Sequence, residues 1–297
     1  MTSSWVALFP ISVILLGLVF LLVLYFSIPS RKGFSLKKKH AVVTGGSKGI
    51  GKEIAHSLIS KGCNMACEDL QMAADQRSQQ QKFESVVRLA ETELGPVDVL
   101  INNVGTSVQG AFDELPISSF EEQTRINYLS AVYATRCVVG GMKLRRSGHI
   151  SFVSSAAGQC AIWGYTAYAP TKFAIRGFAD ALQMELSPYN INVSVLYPPN
   201  TDTEGFKVEM ATMPEEVRLI SGTAGFFSPQ DVAKAHVQDI EDGQYATAIG
   251  LDGWMLCETL HYLHLILCRC VCMRQRKKED RHFFLFCTSD MCLCLDE

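Results

Sequence analysis

At 297 residues, 48% hydrophobic and 19% charged, the chain has the composition of a folded globular protein, not of a disordered or collagen-like one. A formal net charge of −3 supplies no long-range attraction to nucleic acid, so no nucleic-acid partner is expected. Of 11 cysteines, six fall within residues 268–294 and the others are scattered singly, which reads as a reduced, intracellular protein and not as a disulfide scaffold.

In chain order, the first feature is the uncharged run over residues 6–28. At helical rise its 23 residues are long enough to cross a hydrocarbon core of about 30 Å, so an N-terminal transmembrane helix is expected over 1–30. A cleavable signal peptide fits less well, because no basic segment precedes the run and no small-residue cleavage site follows it. Trp5 and Tyr25 suit the two interfaces. Arg31, Lys32, Lys37, Lys38 and Lys39 follow at once, and by the positive-inside rule they put the rest of the chain on the cytosolic side. Residues 31–39 are expected to be a basic linker, solvated or laid against anionic headgroups.

Residues 40–44 (HAVVT) read as a strand, followed by a glycine-rich turn and a helix over 52–60 with Ile54, Ala55, Leu58 and Ile59 at helical spacing. Further strands are expected at 97–101, 149–153 and 192–196, and helices around 84–94, 118–146 and 166–187. This alternation predicts an α/β fold, a doubly wound parallel sheet of Rossmann-like type, over residues 40–256. Between Gly51 and Asn102 only 50 residues intervene, fewer than two further strands and their helices need. The expectation is a shortened second and third strand: Asn64, Met65 and Ala66 remain of the second, a polar helix covers 68–82, and no third strand precedes Phe83.

Residues 257–297 form a Cys-rich tail without the alternation. Its apolar stretch at 260–271 is too short to span a bilayer. Cys268, Cys270, Cys272, Cys287, Cys292 and Cys294 lack the paired spacing of a zinc site, and His261 with His264 is too little for one, so no metal is expected; acylation near a membrane is the alternative use.

The turn Thr44-Gly45-Gly46-Ser47-Lys48-Gly49-Ile50-Gly51 lies between strand and helix, where a backbone cradle and helix N–H groups favour a pyrophosphate. Lys48 there is either a partner for a 2′-phosphate or a solvated loop residue. Downstream, Ser154 and Ser155 end a strand, Tyr168 follows thirteen residues after Ser155, and Lys172 follows Tyr168 by four. Residues four apart share a helix face, so phenol and ammonium can work together; a neighbouring ammonium lowers a phenol pKa toward the working range of a general acid.

As an ordered set, TGGSKGIG at 44–51, INNVG at 101–105, Asn127 in RINYLS, Ser155 and YAPTK at 168–172 resemble the short-chain dehydrogenase/reductase family over about residues 40–255. The resemblance implies that Tyr168 protonates a carbonyl oxygen that Ser155 holds, with Ser154 a neighbouring candidate. It implies that Lys172 binds the nicotinamide ribose and that Asn127 holds a water linking Lys172 to solvent. Gly45, Ser47, Lys48, Gly49, Ile50, Gly51, Asn102, Asn103, Gly105, Pro198, Thr201 and Thr203, with Tyr168 and Lys172, would line the cofactor. The family's charged residue after strand two and aspartate after strand three have no counterpart.

Within the family, the apolar N-terminus and residues 164–206 are similar to membrane-bound members that reduce long-chain lipid ketones with NADPH at the endoplasmic reticulum. That implies NADPH as cofactor, a lipid ketone as substrate, the membrane as partner, a possible homo-oligomer, and a lipid-contacting lid at 204–227. A steroid or retinoid reductase and a non-catalytic shortened variant stay open.

Overall fold

The computed structural model describes residues 33–68, 76–222, 225–250 and 253–257, together with Gly17. The expected membrane helix and most of the Cys-rich tail, including His261, His264 and the six clustered cysteines, lie outside the described residues. Among the described residues no helix is long and apolar enough to cross a membrane.

Six strands form one parallel sheet in the order β2-β1-β3-β4-β5-β6. They are β1 His40–Thr44, β2 Asn64–Glu68, β3 Val99–Asn102, β4 Gly148–Val153, β5 Ile191–Tyr197 and β6 Ala246–Ala248. The helices are α1 Gly49–Ser60, α2 Gln76–Leu94, α3 Ile117–Thr124, α4 Ser130–Arg145, α5 Ala169–Leu186, α6 Glu204–Ala211, α7 Glu215–Ser221 and α8 Pro229–Glu241.

Successive strand residues point to opposite faces, and both faces are covered, so the strands are apolar almost throughout. Val42, Leu100, Ile150, Phe152, Val193 and Val195 pack against Phe83 and Val87 of α2, Val138 and Met142 of α4, and Ile175 of α5. Ala41, Val43, Val99, Ile101 and Leu196 face the other way, onto Ile54 and Leu58 of α1 and Val232, Val237 and Ile240 of α8. Ile59, expected on the buried stripe of the first helix, is 53% exposed, because the stripe narrows to Ile54, Ala55 and Leu58.

Three expectations are corrected. The second strand is not a three-residue remnant: it runs Asn64–Glu68, in register with β1 from His40 to Thr44. Its last residue is acidic, so a charged residue type does end strand two, and the polar helix begins at Gln76 instead of at 68. Among the described residues no strand lies outside β2. Thirdly, the basic linker is part of the domain. Leu36 is fully buried among Ile54, Leu58 and Ile240, the Phe34 N–H donates to the Glu241 carbonyl at 2.9 Å, and Lys39 pairs with Asp98 at 3.4 Å. Lys37 and Lys38 stay exposed.

Candidate active site

The site lies at the carboxyl ends of β1, β3, β4 and β5, the edge at which open parallel sheets bind ligands. At the first turn, Gly45 and Gly49 have φ of +62° and +54°, a region that a side chain would strain. A Cβ on Gly51 would overlap the Gly45 carbonyl oxygen and the Asn103 amide. Lys48 opens α1 in extended conformation, no side chain caps the helix, and its first turn holds no acidic residue. The turn thus presents uncapped N–H groups and a helix dipole to an anion, which fits the pyrophosphate of a dinucleotide. Ser47 and Lys48 are exposed at its rim, whereas the Ile50 side chain packs into the core beneath α1.

Asn103 supports this turn rather than facing out of it: its amide donates to the carbonyls of Thr44 at 3.2 Å and Gly45 at 2.9 Å. Asn102 lies deeper still, buried and donating to Thr135 and to the Ser151 carbonyl, both at 3.3 Å. Thr201 is buried with its hydroxyl on the Pro199 carbonyl, and the Pro198 carbonyl accepts from Ala156 N–H. Thr203 caps α6 through its hydroxyl and sets its methyl against Gly49, which draws α6 over the phosphate turn.

Tyr168, Lys172, Ser155, Asn127 and Gly105 come together. Tyr168 immediately precedes α5 and Lys172 lies one turn on, its Nζ 5.7 Å from the Tyr168 ring centre. A Cβ on Gly105 would stand 3.1 Å from Lys172 Nζ and 3.3 Å from Asn127 Oδ1, so the glycine leaves both within reach of the crevice. Asn127 belongs to a π-helical turn, Arg125–Leu129, that joins α3 to α4 inside the segment expected to be one helix; such turns concentrate at functional sites. Its amide donates to Thr106 O, Gln123 and Thr171 at 2.9–3.0 Å and accepts from Thr106 N–H at 2.8 Å. Every polar atom of that amide is engaged, tying the 103–107 loop to α3 and α5.

The two serines separate clearly. Ser154 is buried and donates to the Lys172 carbonyl at 3.0 Å, so it fastens α5 to β4. Ser155 is half-buried, accepts from Ala157 N–H at 3.1 Å, and its hydroxyl lowers the Tyr168 pKa by hydrogen bonding to the phenol.

The expected lowering of Tyr168 by Lys172 is not what the geometry gives. Burial raises the phenol above its ordinary value; Ser155 opposes this, and the charge on Glu209 adds to it. Lys172 Nζ instead donates to the Val153 carbonyl at 3.1 Å, and burial lowers its pKa to about 8.

A cluster that the spacing arguments missed adjoins Tyr168. Tyr165 stands edge-on to it with ring centres 5.3 Å apart, and donates to Glu209 of α6 at 3.4 Å. Gln109 donates to both Tyr165, at 3.3 Å, and Glu209. Burial raises the Glu209 pKa, while nearby donors and the Lys172 charge pull it back. The one trace in the sequence is an acidic residue inside an apolar lid segment.

This crevice and sheet define a short-chain dehydrogenase. The short chain dehydrogenase family matches residues 39–213, and the chain belongs to it. A 3-dehydrosphinganine reductase of Danio rerio is 44% identical over 263 residues, covering 80% of this chain and 79% of the relative. A 3-ketodihydrosphingosine reductase of Mus musculus is 45% identical over 267 residues, covering 81% and 80%. Among solved structures, an aldohexose dehydrogenase of Thermoplasma acidophilum superposes with a TM-score of 0.60 at 22% identity, over 71% of this chain and 89% of that one. A short-chain dehydrogenase of Streptomyces avermitilis gives 0.64 at 23% identity, over 84% and 99%. At such identities the solved structures speak for the fold alone.

Proposed function

We propose that the chain reduces 3-ketosphinganine to sphinganine with NADPH, anchored in the endoplasmic reticulum membrane with its catalytic domain in the cytosol. The observation that carries the reading is the union of Ser155, Tyr168 and Lys172 beside an uncapped phosphate turn, in a chain 44–45% identical to reductases named for this ketone. When bound, a nicotinamide cofactor supplies the hydride to the carbonyl carbon.

The chain's own groups handle the oxygen and the proton. Ser155 Oγ holds the carbonyl oxygen, and Tyr168 OH gives it a proton, completing the alcohol; the phenol then recovers a proton from solvent. Burial raises the phenol pKa and the Ser155 hydroxyl opposes the rise, so Tyr168 is protonated at neutral pH and has a proton to give. Lys172 holds the ribose hydroxyls and Asn127 positions the loop beside it. The backbone of Gly45, Gly49, Ile50 and Gly51 with Ser47 takes the pyrophosphate, and Lys48 at the exposed rim supports NADPH over NADH.

The lid supports a lipid substrate. On α6 and α7, Val208 is 71% and Leu219 67% exposed, and Phe226 just beyond is 58% exposed, an apolar rim beside the crevice. A long-chain ketone resides in the bilayer, so an anchor over residues 6–28 would hold the enzyme at its substrate. Self-association through the helices carrying Asn127 and Tyr168 is part of the same proposal.

The experiment supplies 3-ketosphinganine with NADPH, and in parallel with NADH, to membranes carrying the chain or its Tyr168→Phe variant. Sphinganine is expected with NADPH, at least 100-fold less of it from the variant. Equal turnover by both proteins, or reduction only of steroid or retinoid carbonyls, would overturn the reading.

A further inference from the structure

We infer that the Glu209 carboxylate, together with the Gln109 side chain, is the subsite for the ammonium group on the carbon next to the substrate's ketone. The inference rests on the proposed reduction of 3-ketosphinganine, an amino ketone, and names what recognises its amine.

Position is the first argument. Thr203 caps α6, its methyl would stand 3.3 Å from a Cβ on Gly49, and Glu209 meets Tyr165, so α6 lies across the crevice with Glu209 on its inner side. Tyr165 bonds Glu209 and stands edge-on to Tyr168, so the carboxylate is one aromatic ring away from the phenol that meets the ketone oxygen. The Glu209 charge acts on both Tyr168 and Lys172, so the carboxylate lies within electrostatic reach of the group that meets the ketone, and the amine of an α-amino ketone sits on the carbon beside that carbonyl. A cation is therefore brought to the carboxylate by the same pose that brings the ketone to Tyr168 and Ser155.

Charge is the second. The other acids along the lid, Asp202, Glu204, Glu215 and Glu216, are all exposed to water, and two of them are paired, Asp202 with Lys207 at 3.2 Å and Glu215 with Arg218 at 3.1 Å. Glu209 is half-buried and forms no ion pair among the described residues. The donors that touch it, Tyr165 and Gln109, are neutral, and the Lys172 charge acts on it without an ion-pair contact. A partly desolvated carboxylate held this way is costly, and a ligand cation in contact relieves the cost.

Donor and acceptor counting is the third. An ammonium group has three N–H donors and no acceptor, so its subsite must supply oxygens. The Gln109 amide nitrogen is engaged by Tyr165 and Glu209, while its buried Oε1 has no partner. Carboxylate and orphan amide oxygen lie in one cluster, a set of acceptors that a neutral alkyl ketone leaves unused. The apolar tail of the lipid would leave this polar pocket toward the exposed Val208 and Leu219.

The test compares kcat/KM for 3-ketosphinganine with that for two ketones of the same chain length, one lacking the amine and one carrying it as a neutral N-acetyl amide. The native protein is expected to favour the free amine at least tenfold over both. In Glu209→Gln that ratio falls to about one, and Glu209→Asp keeps part of it. A merely structural carboxylate would lower all three rates together and keep the ratio. If native protein reduces the three ketones equally, or Glu209→Gln still discriminates, the subsite is overturned while the reductase reading stands. If it reduces none of the three, the reductase reading fails and the subsite with it. Should Glu209→Gln not fold, Glu209→Asp decides: a preference for the free amine as large as the native one would overturn the subsite.

Discussion

Lys172 Nζ lies 5.7 Å from the centre of the Tyr168 ring yet donates to the Val153 carbonyl at 3.1 Å, so the ammonium is tied to the end of β4 and not to the phenol. Burial lowers its pKa to about 8. Below that pH the group is charged and forms charge-assisted hydrogen bonds; above it the charge is lost. Affinity for NADPH, read as energy transfer from protein to cofactor, is therefore expected to fall as pH rises through about 8. Lys172→Met should bind more weakly and lose that step. A native profile flat from pH 7 to 9 would remove Lys172 from the binding site.

Ser154 and Ser155 are adjacent in sequence but have different duties. Ser155→Ala removes a donor from the site of the carbonyl oxygen and should lower kcat about 100-fold. Ser154→Ala removes a buried hydrogen bond to the Lys172 carbonyl, and its main effect should be a loss of about 1 kcal/mol in urea unfolding. The two measurements exchanged, with Ser154 the larger kinetic effect, would reverse the assignment.

Gly51 sits where α1 crosses beneath the turn, and a Cβ there would overlap the Gly45 carbonyl as well as Asn103. Because one of the opposing atoms is backbone, the turn must move. Gly51→Ala should weaken NADPH binding at least tenfold, a change visible in the same energy-transfer titration. Unaltered binding would mean that the cradle is not the phosphate site.

What the sequence reveals depends on how local the cause is. β1 falls on residues 40–44 as expected because a run of apolar residues before a glycine turn needs no distant partner to be recognised. β2 is longer than its residues suggest: Asn-Met-Ala-Cys-Glu has neither the β-branched residues nor the alternation of a strand, and only pairing with β1 makes it one. The break at Arg125–Leu129 is invisible to a periodicity argument, since apolar spacing continues on both sides of one wider turn. Ser155, Tyr168 and Lys172 were readable because strand end and helix start fix their spacing. Glu209 was not, because its meaning comes from burial under a lid that folds back over Tyr165. The same distinction explains the basic linker, where five positive charges masked one buried leucine.

That leucine can be tested directly. Leu36 is fully buried among α1 and α8 residues, and truncating such a side chain typically costs about 2–5 kcal/mol. Leu36→Ala should shift the urea midpoint by a corresponding amount, whereas Lys37→Ala, exposed beside it, should shift it by less than about 0.5 kcal/mol. Equal, small shifts would return residues 33–39 to the status of a linker.

Two histidines make stability depend on pH in a defined direction. His236 is wholly buried in α8, with Nε2 2.6 Å from Ser151 Oγ of β4 and Nδ1 2.9 Å from Thr247 Oγ1 of β6. His149 is buried in β4 with Nε2 2.8 Å from Ser194 Oγ of β5. Both rings are neutral, each hydroxyl adapting to the nitrogen it meets. The pKa of each is lowered to about 3, by burial in both and for His149 also by the neighbouring His236. The unfolded chain takes up its protons near pH 6.5, whereas the folded chain refuses them until about pH 3. Stability from these rings is thus complete above 6.5 and is lost as pH falls through that window, by about 1.4 kcal/mol per pH unit for each ring. Glu209, whose folded pKa is raised, acts in the opposite sense over the acid range and reduces the net slope. Urea unfolding at pH 7.5, 6 and 5 should show the fall. His236→Gln, which keeps a neutral donor and acceptor at that point, should lower stability at pH 7.5 yet flatten the slope. A variant slope as steep as the native one would locate the acid sensitivity elsewhere.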